Sequence, residues 1–140
     1  MDKYVVHHAD SLSGSVSVSG SKNAALPILA AVLLTQEPCT ITNLPPLSDV
    51  KSMLCLLQEA GLAYQYDETK ETLQTNGWKC KFDLSQSQAA GKLRASFLVA
   101  GALLGTCKEA VLPMPGGCPI GSRPIDLHLK GFRKLGAKVD

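Results

Sequence analysis

Net charge is nearly absent from this sequence. Lys and Arg number 14 against 12 Asp and Glu, a formal balance of +2. That is too small for nucleic acid or an anionic membrane surface to be the expected partner. An anionic small molecule, which needs only a few well-placed cations, stays open. Long apolar runs are missing too: the most apolar stretch, Ala24 to Leu34, is too short to span a bilayer. The opening "MDKYVVHHADSLSGSVSVSG" lacks the apolar core of a secretory signal. The cysteines at 39, 55, 80, 107 and 118 are odd in number and contain no C-x-x-C. Neither a zinc site nor a disulfide framework is favoured, and a reducing cytoplasm is the natural setting. What is present is 140 residues with 45% apolar and 19% charged content, enough for one domain with its own core.

The chain resembles itself. "LLTQEPCTITNLP" (Leu33–Pro45) aligns with "LLGTCKEAVLPMP" (Leu103–Pro115) at an offset of 70. Each copy continues an apolar segment, "NAALPILAAVLL" or "RASFLVAGALL", and leads to a helical pattern ending in glycine, "VKSMLCLLQEAG" or "IDLHLKGFRKLG". The offset there is 75, so the connection before the second helix is five residues longer in copy two. The unit reads as helix, strand, helix, then strands. The first helix is apolar nearly all round, which predicts burial on every side. "CTITNL" alternates as a half-buried strand does. Val50, Met53, Leu54 and Leu57 have helical spacing, predicting core, with Gly61 ending that helix. "LAYQYDETKETLQTN" predicts two strands joined by a polar turn, and Asn76–Gly77 is a further turn signal beside Trp78, which is expected to pack under the hairpin. Copy two should repeat those strands but reaches only "GAKVD" at Asp140, so the expectation is a part of a longer protein.

Before the first helix, "YVVHHADSLSGSVSVSGSKN" offers one short strand and a Ser/Gly-rich alternation. Ser21, Lys22 and Asn23 then stand at a helix start, where free backbone N–H groups favour an anion. Arg94 holds the matching place in copy two, and Arg123 precedes the second helix there. Either these three cations converge on one acidic ligand, or they are unrelated surface charges.

"GSKNAALPILAAVLL", "LRAS" and "PGGCPIGSRPIDLH" together resemble the UDP-N-acetylglucosamine 1-carboxyvinyltransferase family of enolpyruvyl transferases, over essentially the whole chain and corresponding to the N-terminal part of such enzymes. "GSKN" alone is weak; the cysteine loop followed by "GSRP-x-DLH" is specific. The resemblance implies an α/β fold of repeated βαβαββ units with helices enclosed by sheets, an inside-out α/β barrel that is truncated here. Residues 1–21 would belong to the other, mostly missing domain. Residues 22–140 would form an incomplete domain of two units, 22–90 and 91–140. The implied reaction moves the enolpyruvyl group of phosphoenolpyruvate to the 3'-hydroxyl of UDP-N-acetylglucosamine and releases phosphate, the first committed step of peptidoglycan synthesis. It uses no metal and no organic cofactor, and its partners are those two small molecules.

By resemblance, Cys118 is the acid that protonates carbon, the thiol that forms a covalent adduct, and the target of fosfomycin. A thiol of ordinary pKa, about 8.5, is largely protonated at neutral pH and can donate. Gly116 and Gly117 would let its loop close. Lys22, Asn23 and Arg123 would bind phosphoenolpyruvate, a flexible ammonium beside a bidentate guanidinium. Arg94, Pro124, Ile125, Asp126 and Leu127 would bind the nucleotide sugar. Pro124 suits a first helical position. Asp126 is either a nucleotide acceptor or a favourable first-turn acid. His128 is assigned no catalysis, His7 and His8 are surface residues, and Cys39, Cys55, Cys80 and Cys107 are expected as buried structural cysteines. Pro119 departs from a freely flexing loop, since it restricts itself and Cys118 before it. The carboxylate and further arginines of the second domain are not among these residues, so the chain alone is expected to have little or no turnover. Two other readings remain. One is an inactive fragment or a nucleotide-sugar-binding module. The other is the shikimate-pathway enolpyruvyl transferase, which shares the fold but not the cysteine loop.

Overall fold

The structure is a computed structural model that describes residues 3–115 and 124–140. It is an α/β arrangement in which helices pack on one face of a small antiparallel sheet. In chain order these are α1 (Lys22–Ala31), β1 (Thr40–Ile41), α2 (Ser48–Glu59), β2 (Leu62–Asp67), β3 (Thr72–Trp78), α3 (Gln88–Lys92), α4 (Phe97–Cys107) and α5 (Asp126–Lys134). Two 3-10 turns, Val32–Leu34 and Arg94–Ser96, abut α1 and α4.

The sheet runs β1-β3-β2. Tyr66 pairs with Leu73 and Asp67 with Thr72 across the expected hairpin, closed by Asp67, whose Oδ1 accepts from the N–H groups of Thr69 and Lys70, both at 3.0 Å. Asn76–Gly77 is not a turn. The register slips between Leu62 and Tyr64, so that Ala63 alone faces Asn76 and Gly77, and Gly77 takes φ +72°. This is a β-bulge, the other use a strand makes of a positive-φ glycine. Just beyond it Trp78 is buried, and its indole N–H donates to the Thr35 carbonyl at 3.1 Å.

α2 is the centre of the core. Val50, Met53, Leu54 and Leu57 fall on its buried face as their spacing requires, joined by Leu56 and by Leu29, Leu33, Leu73 and Leu103 from neighbouring elements. Each fully buried leucine contributes about 1.5–3 kcal/mol over leaving it exposed. The helix ends at Gly61, with φ +103°, where any Cβ would collide with the Lys79 carbonyl oxygen. Gly136, with φ +96°, follows the end of α5 and shares the left-handed backbone, though with open space where a Cβ would sit.

Several expectations are corrected. α1 is not buried on every side among the described residues: Ala25, Leu26, Leu29 and Ala30 face the core, whereas Ile28 is 49% and Leu34 58% exposed. α2 and α4 pack against one side only of this segment. Residues 3–20 form no strand; Val5, Val6, Val16 and Val18 lie exposed, because no described strand runs beside them to take up their backbone hydrogen bonds. The strand expected after α4 is a single parallel bridge, Val111 with Asp83, and residues 136–140 form none. The short helix α3, capped by the Ser87 hydroxyl accepting from the Ala90 N–H at 2.9 Å, was not anticipated.

The cysteines differ most. Cys55 is exposed and Cys39 half-buried. Cys80 is exposed and joined in a disulfide to half-buried Cys107, with Cα atoms 6.1 Å apart. Sequence spacing does not reveal the pair, because the bridge Asp83–Val111 brings two distant segments side by side. Cys118 lies outside the described residues.

Candidate active site

A cleft of about 690 Å³ opens where the N-termini of α1 and α2, the turn before α4 and the start of α5 meet. Lys22 and Asn23 enter it from the first turn of α1. That turn is fixed by Ser21, whose hydroxyl accepts from the Ala24 N–H at 3.4 Å while its carbonyl accepts from Ala25 at 2.9 Å. The N–H groups of Lys22 and Asn23 have no partner among the described residues, the ordinary condition of a helix start. Pro27, inside α1, has no N–H to give the Asn23 carbonyl four residues earlier.

Lys22 Nζ sits 2.8 Å from Asp49 Oδ2, with both side chains partly exposed. Asp49 stands in the first turn of α2, where a carboxylate is favourable, so one acid serves the helix and the lysine. Opposite, the segment 92–95 brings Lys92 and Arg94 to the wall, with Phe97 and Leu98 behind them. Phe97 meets His128 of α5 edge-on, with ring centroids 5.5 Å apart, and Phe132 at 6.1 Å. The Phe132 ring lies over Gly101, where a Cβ would meet it at an ordinary contact distance of 3.7 Å. These aromatic contacts seat α5 on α4 and complete the far wall with Pro124, Ile125 and His128.

Of the residues named from the sequence, Lys22, Asn23, Arg94, Pro124 and Ile125 line this one cleft. Asp126 and Leu127 do not; both are exposed on α5, Leu127 to 74%. Cys118 and Arg123 lie outside the described residues, as do Gly116, Gly117 and Pro119. Pro115 and Pro124, which bracket that stretch in sequence, both line the cleft.

A family profile described as EPSP synthase (3-phosphoshikimate 1-carboxyvinyltransferase) matches residues 6–140. The chain belongs to the EPSP synthase family. Within it, the chain is 44% identical over its whole length to UDP-N-acetylglucosamine 1-carboxyvinyltransferase 1 of Carboxydothermus hydrogenoformans, covering 33% of that protein. It is 41% identical over its whole length to the UDP-N-acetylglucosamine 1-carboxyvinyltransferase of Methylacidiphilum infernorum, covering 32%. The protein of that name in Elusimicrobium minutum is 42% identical over 98% of the chain, again covering 32% of its own length. The chain thus spans about a third of the length of the curated relatives it matches.

The cleft of this EPSP synthase-family chain also holds Asp49, Lys92, Phe97 and Leu98, which the motifs do not mark, and His128, which is given no catalytic role. Two carried a usable signal. Lys92 is two residues from Arg94, and Asp49 aligns with Pro124 at the offset of 75 found between the two copies. Nothing in the sequence alone marks Phe97 as a cleft wall, since Val99, Ala100, Ala102 and Leu103 on the same apolar helix are core. Among the described residues no helix is long and apolar enough to cross a membrane.

Proposed function

We propose that the chain is the N-terminal part of an enolpyruvyl transferase acting on phosphoenolpyruvate and UDP-N-acetylglucosamine. The observation that carries this is the convergence of Lys22 and Asn23 with Arg94, Pro124 and Ile125 on one cleft, in a chain whose relatives bear that enzyme's name. The sister reading, transfer to shikimate 3-phosphate, is weakened by those names and by the cysteine in "PGGCPIGSRP".

In this reading, Lys22 and Arg123 hold the phosphate and carboxylate of phosphoenolpyruvate, and Asn23 orients it. Arg94 faces the nucleotide sugar, with Pro124 and Ile125 lining the uridine site and Asp126 and Leu127 at its edge on the first turn of α5. The sugar 3'-hydroxyl gives its proton to a carboxylate of the second domain as its oxygen bonds to C2 and the Cys118 thiol gives its own proton to C3. The tetrahedral adduct then returns a proton from C3 to the Cys118 thiolate and expels phosphate from C2, restoring the vinyl group on the new ether. Cations fixed beside the departing phosphate stabilise charge as it develops. No metal or organic cofactor takes part. Residues 1–21 belong to a second domain, which their exposed valines favour, and 22–140 form two βαβαββ units of an inside-out barrel, 22–90 and 91–140, the second cut short. The second domain completes the cleft, so the chain by itself turns over slowly or not at all. The setting is the cytoplasm, and the pathway is cell-wall synthesis.

Isothermal titration of the complete protein with UDP-N-acetylglucosamine tests the acceptor site. Binding that Arg94→Ala weakens supports the reading. A folded protein that gives no heat contradicts it.

A further inference from the structure

We propose that Cys80 and Cys107 form a reversible redox site, in which Cys80 is the entry thiol for small-molecule disulfides and Cys107 the resolving thiol. Neither cysteine lines the cleft, and the inference stands whether or not the transferase reading holds.

The two positions are brought together by contacts that do not depend on sulfur. Around Cys80, the Lys79 N–H donates to the Gly61 carbonyl at 3.2 Å and the Lys81 N–H to that of Ala60 at 3.0 Å, pinning this stretch to the corner between α2 and β2. Cys107 ends α4, whose last turn is closed by Lys108 in a left-handed conformation and by the Lys108 ammonium donating to the Gly105 carbonyl at 2.8 Å. Beyond the two cysteines, the Val111 N–H donates to the Phe82 carbonyl at 2.9 Å and the Leu84 N–H to that of Val111 at 2.8 Å. These bonds hold the two segments in register. The resulting Cα separation of 6.1 Å lies in the range a disulfide spans without backbone movement. The reduced chain therefore keeps its thiols poised to rejoin.

Exposure distinguishes the two sulfurs. Cys80 is exposed and Cys107 half-buried, so an incoming disulfide reaches Cys80 first. Lys79 and Lys81 flank Cys80 and attract an anionic reagent such as glutathione disulfide. The Cys80 thiolate attacks one glutathione sulfur, releasing the first glutathione thiolate and leaving a mixed disulfide. The Cys107 thiolate then attacks the Cys80 sulfur and releases the second. The protein loses two electrons and two protons, and one glutathione disulfide becomes two glutathiones. Exposed disulfides are the exchangeable ones, and those of reducing compartments are characteristically transient or redox-sensing.

The two cysteines are 27 positions apart in sequence, and the ring they close contains α3, the 94–96 turn and α4. Oxidation therefore restrains the wall that carries Lys92 and Arg94.

The test equilibrates the folded full chain with reduced and oxidised glutathione at graded ratios, then quenches with acid, alkylates and digests with a protease that does not cut beside lysine. The expected result is a Cys80–Cys107 linked peptide, two hydrogens lighter than the separate thiols, whose yield follows the ratio. The oxidised form should melt about 10 °C above the reduced form. Cys107→Ser should accumulate glutathione on Cys80, and Cys80→Ser should leave Cys107 largely unmodified. Links through Cys39 or Cys55 instead, a bond that excess reduced glutathione cannot open, or adducts preferring Cys107 would each overturn the proposal. The titration of the unaltered chain decides the first two points even if a variant fails to fold.

Discussion

Lys22 Nζ and Asp49 Oδ2 lie 2.8 Å apart across the mouth of the cleft, joining the first turns of α1 and α2. With both side chains partly exposed, the pair adds only about 0.2–1 kcal/mol to stability. Its consequence is positional, since a lysine on four rotatable bonds is held at one point. In the complete protein, Asp49→Asn should raise KM for phosphoenolpyruvate by about 10-fold, the worth of one charge-assisted contact, with little change in melting temperature. Lys22→Ala should lower kcat/KM by about 10²–10³. Steady-state kinetics at fixed acceptor decide both. Tighter binding in Asp49→Asn would make the carboxylate a competitor for the ammonium and not its guide.

Carbon protonation is assigned to Cys118. Cys118→Ala should reduce turnover by at least about 10², the usual contribution of a positioned acid. Fosfomycin should alkylate the same sulfur in the complete protein, located by peptide mass mapping. An adduct on Cys39 or Cys55 would remove the assignment.

The hairpin turn carries a pH dependence of its own. The Asp67 carboxyl is held below its ordinary value of 3.8 by the Lys70 backbone N–H first, then by the Thr69 N–H and the Lys70 charge. A depressed folded value means the turn is stabilised above the unfolded pKa and loses that support as pH falls through the folded one. NMR titration from about pH 5 to pH 2 should show the Thr69 and Lys70 amide resonances moving with one midpoint below 3.8. Asp67→Asn should keep the turn and abolish that midpoint.

Gly61 is the least replaceable backbone position described. Its φ of +103° and the closeness of the Lys79 carbonyl exclude a side chain on two independent grounds. Gly61→Ala should cost about 1–3 kcal/mol, measured by denaturant unfolding. Gly91→Ala, at a helical position with open space around it, should be neutral or slightly stabilising.

Local periodicity made α2 and the hairpin legible, because Val50, Met53, Leu54 and Leu57 and the two strands flanking "DETKE" are decided within a dozen residues. Asn76–Gly77 was read as a turn, since a turn and a bulge ask the same thing of glycine and only the register across β2 tells them apart. The exposed side of α1 was illegible for a different reason: Ile28 and Leu34 are apolar, and apolarity does not say what covers them. The Cys80–Cys107 pair and the aromatic seat of α5 on Phe97 arise from tertiary approach alone. In the cleft, motif residues were legible through their charge at helix starts. Asp49 is an ordinary first-turn acid taken by itself, and only its alignment with Pro124 between the two copies sets it apart.

The most direct measurement is phosphate release from phosphoenolpyruvate by the complete protein, with UDP-N-acetylglucosamine or shikimate 3-phosphate as acceptor. Release that requires the nucleotide sugar and is lost in Lys22→Ala is the predicted result. Release that follows shikimate 3-phosphate, or that survives unchanged without the Lys22 ammonium, would contradict it.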